Sequence, residues 1–334
     1  MKIAVFDVES WERETFEPLQ DDHEIVFEEG QLDADAADRH SDADIVSAFI
    51  YSDFSREVLR RFDGLRFIAT RSTGVDHIDM EWCGDNDIGV ANVPSYGENT
   101  VAEHVFALLL AISRNIVDAA DRTRRGDFTQ GGLRGFDLKG RTMGVVGTGD
   151  IGEHTARIAR GFGMDVLAFD VKPRDEIARE IGFDYVGMEE LLGRSDVVTL
   201  HVPANDRTRH LIDAEAFARM KDGAILINTA RGSIVETEAL LEALASGRLR
   251  AAGLDVLPEE PAVREEAELL RSYFNRDHRL DTLLADHILL RMRNVVITPH
   301  TAFNTREAVQ RILNTTLRNI EGYIAGEPKN LVSS

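Results

Sequence analysis

The chain has 334 residues, of which 43% are hydrophobic, enough to build two folded domains of a soluble protein. Its 59 acidic and 38 basic residues give a net charge of -21, which disfavours nucleic acid and anionic lipid surfaces as partners. Cys83 is the only cysteine, which excludes an internal disulfide and a thiolate zinc cluster and indicates a cytoplasmic protein.

Short apolar or alternating runs follow one another through the first 93 residues. They are KIAVFDV, EIVFEE, DIVSAFI, LRFIATRS and IGVANV, and charged segments compatible with helices separate them. The first run has no basic start and no long apolar core, so it predicts a strand and not an export signal. The alternation as a whole predicts a parallel sheet covered by helices.

A helix is predicted from about Thr100 to Arg122. Thr100, with Glu103 three residues later, has the pattern of a capping box at the start of a helix. The apolar run VFALLLAI is the longest in the chain, yet it is shorter than the roughly 18 to 20 residues of a membrane span. Because this run is wide enough for burial on several sides, we expect the helix to pack between domains or subunits.

A second series of strands begins after a glycine-rich loop. Its runs are RTMGVVG, DVLAFD, VVTLHV, AILINTA, AAGLDV and NVVITPH. Six strands with intervening helices predict one doubly wound domain. A final amphipathic helix is predicted from near Asn304 to near Gly326, and we expect it to cross back and pack on the first domain.

The stretch GVVGTGDIG connects the first strand of this second series to a helix. Gly147, Gly149 and Gly152 have the spacing of a dinucleotide-binding turn, and Asp150 and Ile151 begin the helix. Backbone N–H groups and the helix dipole at such a turn favour a bound pyrophosphate. The turn therefore predicts a nucleotide-binding second domain.

Asp170 ends the next strand, 18 residues after Gly152, where a carboxylate accepts hydrogen bonds from an adenosine ribose. A carboxylate at this place repels a 2'-phosphate, so NAD is favoured over NADP, while Lys172 and Arg174 leave room for use of both cofactors. We therefore expect a discontinuous substrate domain of residues 1–99 and 302–334 and an NAD-binding domain of residues 100–301.

Reactive residue types follow three further strands of the second series. They are Arg231 in INTARGSIVE, Glu260 in GLDVLPEEP and His300 in ITPHTAFNT. Arginine binds carboxylates through two parallel hydrogen bonds, and a histidine with a carboxylate partner holds a proton near neutral pH. Each residue alone has a simpler explanation as a surface cation, a solvated carboxylate or a structural histidine. Together, after strands of one cofactor sheet, they favour catalysis.

The acidic composition has two explanations that the sequence leaves open. One is a moderately acidic protein from a GC-rich genome, in which arginine replaces most lysine. The other is adaptation to high salt, which screens the repulsion among surface carboxylates.

The chain resembles the D-specific 2-hydroxyacid dehydrogenases over essentially its whole length, and most of all their NAD-dependent lactate-type branch. The motifs that carry the resemblance are TRSTGVDHID, NVPSYGENTVAEH, GVVGTGDIG, LHVP, INTARG, GLDV and TPHTAFNT. The resemblance implies two doubly wound α/β domains, Rossmann-like or flavodoxin-like, with the active site in the cleft between them. It also implies a homodimer that uses NAD. A metal is not expected, because no histidine and carboxylate cluster in the sequence has ligand spacing and hydride transfer does not require one.

The resemblance assigns three catalytic residues. His300 exchanges a proton with the substrate hydroxyl, Glu260 hydrogen-bonds its imidazole, and Arg231 binds the substrate carboxylate and polarises the carbonyl. The other implied substrate contacts are the backbone N–H groups of Thr73 and Gly74 and the side chains of Tyr96 and Phe303. The implied cofactor contacts are Gly147, Gly149, Asp150, Ile151, Gly152, Asp170, Val202, Pro203, Thr208, Thr229, Ala230, Asp255 and His300.

The implied reaction is the interconversion of pyruvate and D-lactate. Glu260 stands where relatives acting on formate carry glutamine, and the long segment between Glu260 and His300 and the aromatic Phe303 are typical of lactate-type members. A glyoxylate or hydroxypyruvate reductase, or a broader 2-oxoacid reductase, is the alternative within the family. A corepressor-type binding module gated by NADH is the alternative outside catalysis.

Overall fold

The computed structural model describes residues 1–257 and 287–332 of the chain. These residues form two compact units, one of Met1–Gly97 with Asn304–Ser334 and one of Glu98–Phe303. Glu260, one of the predicted catalytic residues, lies outside the described residues.

The first unit contains a five-stranded sheet in which every pair of neighbouring strands is parallel. Its strands are β1 (Lys2–Val5), β2 (Glu24–Phe27), β3 (Ile45–Ser47), β4 (Phe67–Ala69) and β5 (Gly89–Ala91). The spatial order is β2-β1-β3-β4-β5, the flavodoxin-like order, so the predicted parallel α/β fold is confirmed here. The connections contain a 3-10 helix (Arg13–Leu19) and the helices α1 (Ala34–Arg39), α2 (Arg56–Leu59) and α3 (Met80–Asp85).

The second unit contains a seven-stranded sheet that is also parallel throughout. Its strands are β6 (Thr142–Val146), β7 (Asp165–Phe169), β8 (Asp184–Tyr185), β9 (Val197–Leu200), β10 (Ala224–Asn228), β11 (Leu249–Leu254) and β12 (Val295–Ile297). The order β12-β11-β10-β9-β6-β7-β8 reverses direction between β6 and β9, as in a Rossmann-like sheet. The six predicted strands are present, and the two-residue edge strand β8 is an addition that was not predicted.

Two helices replace the single helix predicted from Thr100 to Arg122. They are α4 (Glu98–Ser113) and α5 (Ile116–Arg124), with Asn115 between them in the left-handed region at φ 51°. The predicted capping box is wrong, because α4 begins two residues before Thr100 and places this threonine inside the first turn. Across the described ranges, no single helix combines the length and hydropathy of a membrane span; α4 and α5 meet that test only jointly, with a 63° bend.

Five further helices among the described residues of the second unit cover the two faces of its sheet. They are α6 (Asp150–Gly161), α7 (Asp175–Ile181), α8 (Met188–Arg194), α9 (Ala214–Arg219) and α10 (Thr237–Ala245). Both faces carry a core of buried apolar side chains, so the strands read as nearly continuous apolar runs in the sequence.

The last helix, α11 (Arg306–Ile324), belongs to the first unit. It begins where the Thr305 side chain accepts a hydrogen bond from the N–H of Ala308, two residues from the predicted start. Leu313 and Ile320 are fully buried in the core beside β1, and the ring of Tyr323 stacks on Phe67 at 4.2 Å between centroids. The apolar stripe predicted from the sequence is thus the face that packs on the first sheet.

Candidate cofactor and catalytic site

The three glycines of the turn after β6 have different structural roles. Gly147 has a left-handed φ of +91°, and a Cβ there would lie 2.6 Å from the carbonyl oxygen of His201. A Cβ on Gly152 would lie 2.0 Å from the carbonyl oxygen of Gly147, so this position sets the close approach of α6 to the strand. Gly149, the N-cap of α6, has nothing within 4 Å of a Cβ. The turn therefore leaves open space at the helix N-terminus, which suits a dinucleotide pyrophosphate.

Asp170, directly after β7, faces this turn. Its carboxylate accepts hydrogen bonds from the backbone N–H groups of Thr148 at 2.7 Å and Lys172 at 2.8 Å. Burial by itself raises the pKa of Asp170, but these bonds and the charge of Arg174 hold it below its ordinary value. An ionised acceptor beside the turn suits ribose hydroxyls and repels a 2'-phosphate.

Arg174, a cation that could favour a phosphorylated ribose, is engaged by the protein itself. Its guanidinium donates to the carbonyl of Thr148 and lies 3.4 Å from the carboxylate of Glu153. Lys172 is exposed. The charge of Arg174 is thus partly compensated, which supports the preference for NAD predicted from Asp170.

The segment after β9 contains a histidine that the sequence pattern did not single out. His201 lies at the reversal of strand order between β6 and β9, and its Nε2 is 3.0 Å from the hydroxyl of Thr199. Desolvation lowers the pKa of His201 to about 3, so the imidazole is neutral at neutral pH. In the same loop the Thr208 hydroxyl accepts a hydrogen bond from the N–H of Asn205 and donates to the carbonyl of Pro203. Thr208 thereby shapes the loop that contains Val202 and Pro203.

The turn after β10 is organised by Asn228, which is 1% exposed. Its Oδ1 accepts the N–H of Ala230 at 3.0 Å, and its Nδ2 donates to the carbonyl of Arg231 at 2.9 Å. The hydroxyl of Thr229 is buried and has no hydrogen-bond partner among the residues that the structure describes. A buried hydroxyl needs a hydrogen-bond partner, and a ligand bound at the end of β10 would supply one.

The turn after β12 carries His300 in the left-handed region, at φ 51°. The N–H of His300 donates to the carbonyls of Asp255 at 2.9 Å and Thr298 at 3.0 Å. The carboxylate of Asp255 accepts the N–H groups of Thr301 at 2.9 Å and Ala302 at 2.8 Å. Non-glycine residues adopt this conformation at a cost, so the surrounding hydrogen bonds are what hold it.

Asp255 follows β11, and its side chain is 1% exposed. Burial by itself raises its pKa, but hydrogen bonds from His104, Thr298 and the two backbone N–H groups hold it below the ordinary value. The sequence assigned Asp255 to the nicotinamide amide; the structure uses its carboxylate on the His300 turn, and contact with the cofactor stays a prediction.

The predicted substrate residues of the first unit follow β4 and β5. The carbonyl of Thr73 accepts a hydrogen bond from the side chain of Asn92, and that of Gly74 accepts one from the hydroxyl of Ser72, both at 2.7 Å. The carbonyl of Tyr96 accepts a bond from Arg311 on α11. Phe303, the other predicted substrate contact, follows the His300 turn at the end of the second unit.

A cluster of buried charged side chains at the carboxyl ends of β1 and β4 was not predicted from the sequence. Arg71 is 3% exposed and donates to the carbonyls of Phe6 and Asp7, while its Nη1 lies 3.5 Å from a carboxylate oxygen of Glu12. Desolvation raises the pKa values of Asp7 and Glu12 and lowers that of Arg71. The signal was present in TRSTG, because Arg71 directly precedes the predicted substrate turn.

Six of these features lie at one edge of one sheet, because the carboxyl ends of parallel strands meet there. They are the glycine turn, Asp170, His201, Arg231, Asp255 and His300. Within the described part of the chain, no group of three or more His, Cys, Asp or Glu side chains is placed to hold a metal ion. The arrangement provides an anion-binding helix terminus, a ribose acceptor, a guanidinium and an imidazole.

Comparison with known proteins gives a consistent picture. Residues 106–302 match the family model for the NAD-binding domain of D-isomer-specific 2-hydroxyacid dehydrogenases. The chain is 34% identical to the D-lactate dehydrogenase of Escherichia coli over 341 residues, covering 99% of this chain and 100% of that protein. Among solved structures, the pyruvate reductase of Chlamydomonas reinhardtii is similar with a TM-score of 0.88 and 34% identity, covering 98% of this chain and 97% of that chain. The structure of the Aquifex aeolicus D-lactate dehydrogenase complexed with NAD and lactic acid is similar with a TM-score of 0.85 and 32% identity, covering 99% of each chain.

The three glycines allow folding and cofactor binding to be separated. Gly149→Ala is expected to keep the wild-type melting temperature but weaken NADH binding by about 10-fold or more, because the methyl group enters the open space at the helix N-terminus. Gly152→Ala is expected to lower the free energy of unfolding by roughly 1–3 kcal/mol, because its Cβ meets backbone. Thermal unfolding and NADH fluorescence titration measure the two effects.

Gly161→Ala is the matched control, since a Cβ there also meets nothing within 4 Å and it lies at the far end of α6. It should keep both wild-type properties. Unchanged NADH affinity in Gly149→Ala would show that the pyrophosphate does not approach this turn.

Proposed function

The chain belongs to the D-isomer-specific 2-hydroxyacid dehydrogenase family, and we propose that it is an NAD-dependent D-lactate dehydrogenase that interconverts pyruvate and D-lactate. The observation that carries the proposal is the convergence of Arg231 and His300 with the glycine turn at one edge of the NAD-binding sheet. The names of the similar proteins, two D-lactate dehydrogenases and a pyruvate reductase, support pyruvate as the substrate.

In this proposal the side chains of the protein transfer a proton to the substrate and stabilise the negative charge that develops on it. NADH, when bound, would supply the hydride for the 2-oxo carbon of pyruvate. His300 in its cationic form gives a proton to the developing alkoxide oxygen, so that the product is the hydroxyl of lactate. Arg231 binds the substrate carboxylate with its planar fork and stabilises the charge that develops on the oxygen. In the reverse direction the neutral imidazole accepts that proton.

Glu260 is proposed to hydrogen-bond the imidazole of His300. The N–H groups of Thr73 and Gly74 are proposed to bind the substrate carboxylate, with Tyr96 as a further donor and Phe303 beside the methyl group. The side-chain bonds to the carbonyls of Thr73 and Gly74 support this role, because they fix the orientation of the peptide groups in the turn.

The cofactor is NAD, and its contacts beyond the glycine turn are proposals. Asp170 is proposed to accept the adenosine ribose hydroxyls, and Asp255 to lie near the nicotinamide amide. The remaining proposed contacts are Asp150, Ile151, Val202, Pro203, Thr208, Thr229 and Ala230. The buried hydroxyl of Thr229 supports the contacts proposed for Thr229 and Ala230, because a ligand at the end of β10 would give this hydroxyl a hydrogen-bond partner.

We further propose that the protein is a homodimer. Three large apolar side chains of the second unit support this: Ile116 and Val117 at the start of α5 are 54% and 56% exposed, and Phe128 in the following loop is 79% exposed. Exposed apolar side chains of this kind are covered most simply by a second copy of the same chain.

Substrate choice is tested by NADH oxidation with pyruvate, 2-oxobutyrate, phenylpyruvate, glyoxylate and hydroxypyruvate. Pyruvate is expected to have the highest kcat/KM, by about 10-fold or more over acids that differ by one carbon, as for other small apolar pockets. A preference for glyoxylate or hydroxypyruvate would make the protein a reductase of those acids. Tight NADH binding without turnover of any acid would favour the corepressor-type binding module.

The role of His300 is tested by His300→Gln, which keeps hydrogen bonding but cannot donate a proton as an acid. We expect kcat to fall by about 10²- to 10⁴-fold while NADH affinity stays near the wild-type value. Arg231→Lys provides the contrast: it keeps the charge, loses the planar fork, and should therefore raise KM for pyruvate as well as lower kcat. Wild-type turnover in His300→Gln would remove this residue from the mechanism.

The homodimer is tested by light scattering on the purified protein, which should give about twice the chain mass of 37.2 kDa. Phe128→Asp should shift the protein toward the monomer, because it replaces the most exposed of these three apolar side chains with a charge. Leu331→Asp is the matched control, since Leu331 is 52% exposed but belongs to the first unit. A wild-type mass equal to one chain would contradict the proposal.

A further inference from the structure

A chain of hydrogen bonds runs from helix α4 to the turn that carries His300. Nε2 of His104 on α4 lies 2.9 Å from the hydroxyl oxygen of Thr298 and 3.4 Å from Oδ1 of Asp255. The hydroxyl of Thr298 donates to that same Oδ1. Because the single hydroxyl proton points to Asp255, the oxygen of Thr298 accepts from Nε2–H of His104. The bonding pattern thus defines which ring nitrogen carries the proton.

The carboxylate of Asp255 is the centre of this chain. It is 1% exposed and also accepts the backbone N–H groups of Thr301 and Ala302, while the carbonyl of Asp255 accepts the N–H of His300. A buried carboxylate depends on its donors, and the loss of one weakens the rest of the network. The left-handed backbone of His300 depends on the same bonds, since such a conformation persists only where its surroundings fix it.

His104 is held in place by the packing of α4 on β11. Gly253 in β11 allows a close approach, because a Cβ there would lie 3.0 Å from Cβ of Leu108 and 3.3 Å from Cδ1 of Ile112. The side chain of His104 is 19% exposed. The imidazole is therefore presented to Thr298 and Asp255 by a helix that has little freedom to move.

We propose that His104 is a positioning residue that fixes the orientation of His300 through Thr298 and Asp255. The proposal rests on the proposed function, in which His300 transfers the proton. His104 itself contacts neither the reacting atoms nor the glycine turn in this assignment. Its loss therefore affects the rate of the chemical step and leaves the affinity for NADH nearly unchanged.

The test compares two substitutions of one residue. His104→Leu removes the donor and is expected to lower kcat for pyruvate by about 10- to 100-fold, because small misplacement of a catalytic group has effects of that size. His104→Gln keeps an N–H at similar reach and should recover most of the lost kcat. NADH dissociation constants should stay within about 2-fold of wild type in both variants, since the glycine turn is untouched and Asp255 keeps the N–H groups of Thr301 and Ala302.

Thr298 supplies an independent variant in case His104→Leu folds poorly. Thr298→Val interrupts the chain and Thr298→Ser restores the hydroxyl, so only the valine variant should lose kcat. In the double variant His104→Leu/Thr298→Val the two losses should not multiply, because both break the same chain. Fully multiplicative losses, or a His104→Leu variant with a lowered melting temperature and wild-type kcat, would overturn the proposal.

A readout without turnover separates this proposal from the proposed function. The imidazole resonance of His300, identified by its absence in His300→Gln, should shift in His104→Leu and return in His104→Gln. If wild type lacks pyruvate turnover but this resonance shifts, the proposed function fails and the positioning role stands. If wild type is active, His300→Gln is inactive and neither kcat nor the resonance changes in His104→Leu, the positioning role alone fails.

Discussion

The parallel direction of all seven strands in the second sheet is the constraint on which the site depends. Parallel strands end at the same edge, so the pairing of the strands brings residues that are far apart in the sequence to one place. The glycine turn, Asp170, Arg231 and His300 each follow a different strand of this sheet. The chemistry is therefore distributed over turns, while the strands and helices between them supply a rigid frame.

Buried polar side chains hold two of the turns at this edge. Asn228 bonds the peptide groups of Ala230 and Arg231, and the carboxylate of Asp255 bonds those of Thr301 and Ala302. A polar group in such a place costs free energy unless every donor and acceptor is matched, and matched networks are correspondingly rigid. This rigidity is what a catalytic turn requires, because proton transfer depends on orientation to within a few tenths of an ångström.

Most strands and the glycine turn could be predicted because apolar periodicity and local spacing are properties of short stretches. The edge strand β8 could not, because two residues carry no period, and the break at Asn115 was hidden by helix-compatible residues on both sides. The residues that act at a distance were missed for a different reason. His104 and Thr298 are 194 residues apart, and Arg71 contacts Asp7 across 64 residues, so only the fold reveals these bonds.

Because the net charge of the protein is -21, the binding of anions depends on positively polarised groups close to the ligand. Pyruvate and NAD are anionic, so the long-range field of the protein opposes their approach, and salt screens that field. Their capture must then come from groups that act over a few ångströms: the N-terminus of α6 for the pyrophosphate, and Arg231 for the substrate carboxylate in the proposed mechanism. Asp170 adds a negative charge beside the same turn, and we propose that it accepts the ribose hydroxyls and repels a 2'-phosphate. In the proposed mechanism, the pyrophosphate is captured and the ribose is selected by opposite charges at the ends of two neighbouring strands, because the N-terminus of α6 follows β6 and Asp170 follows β7.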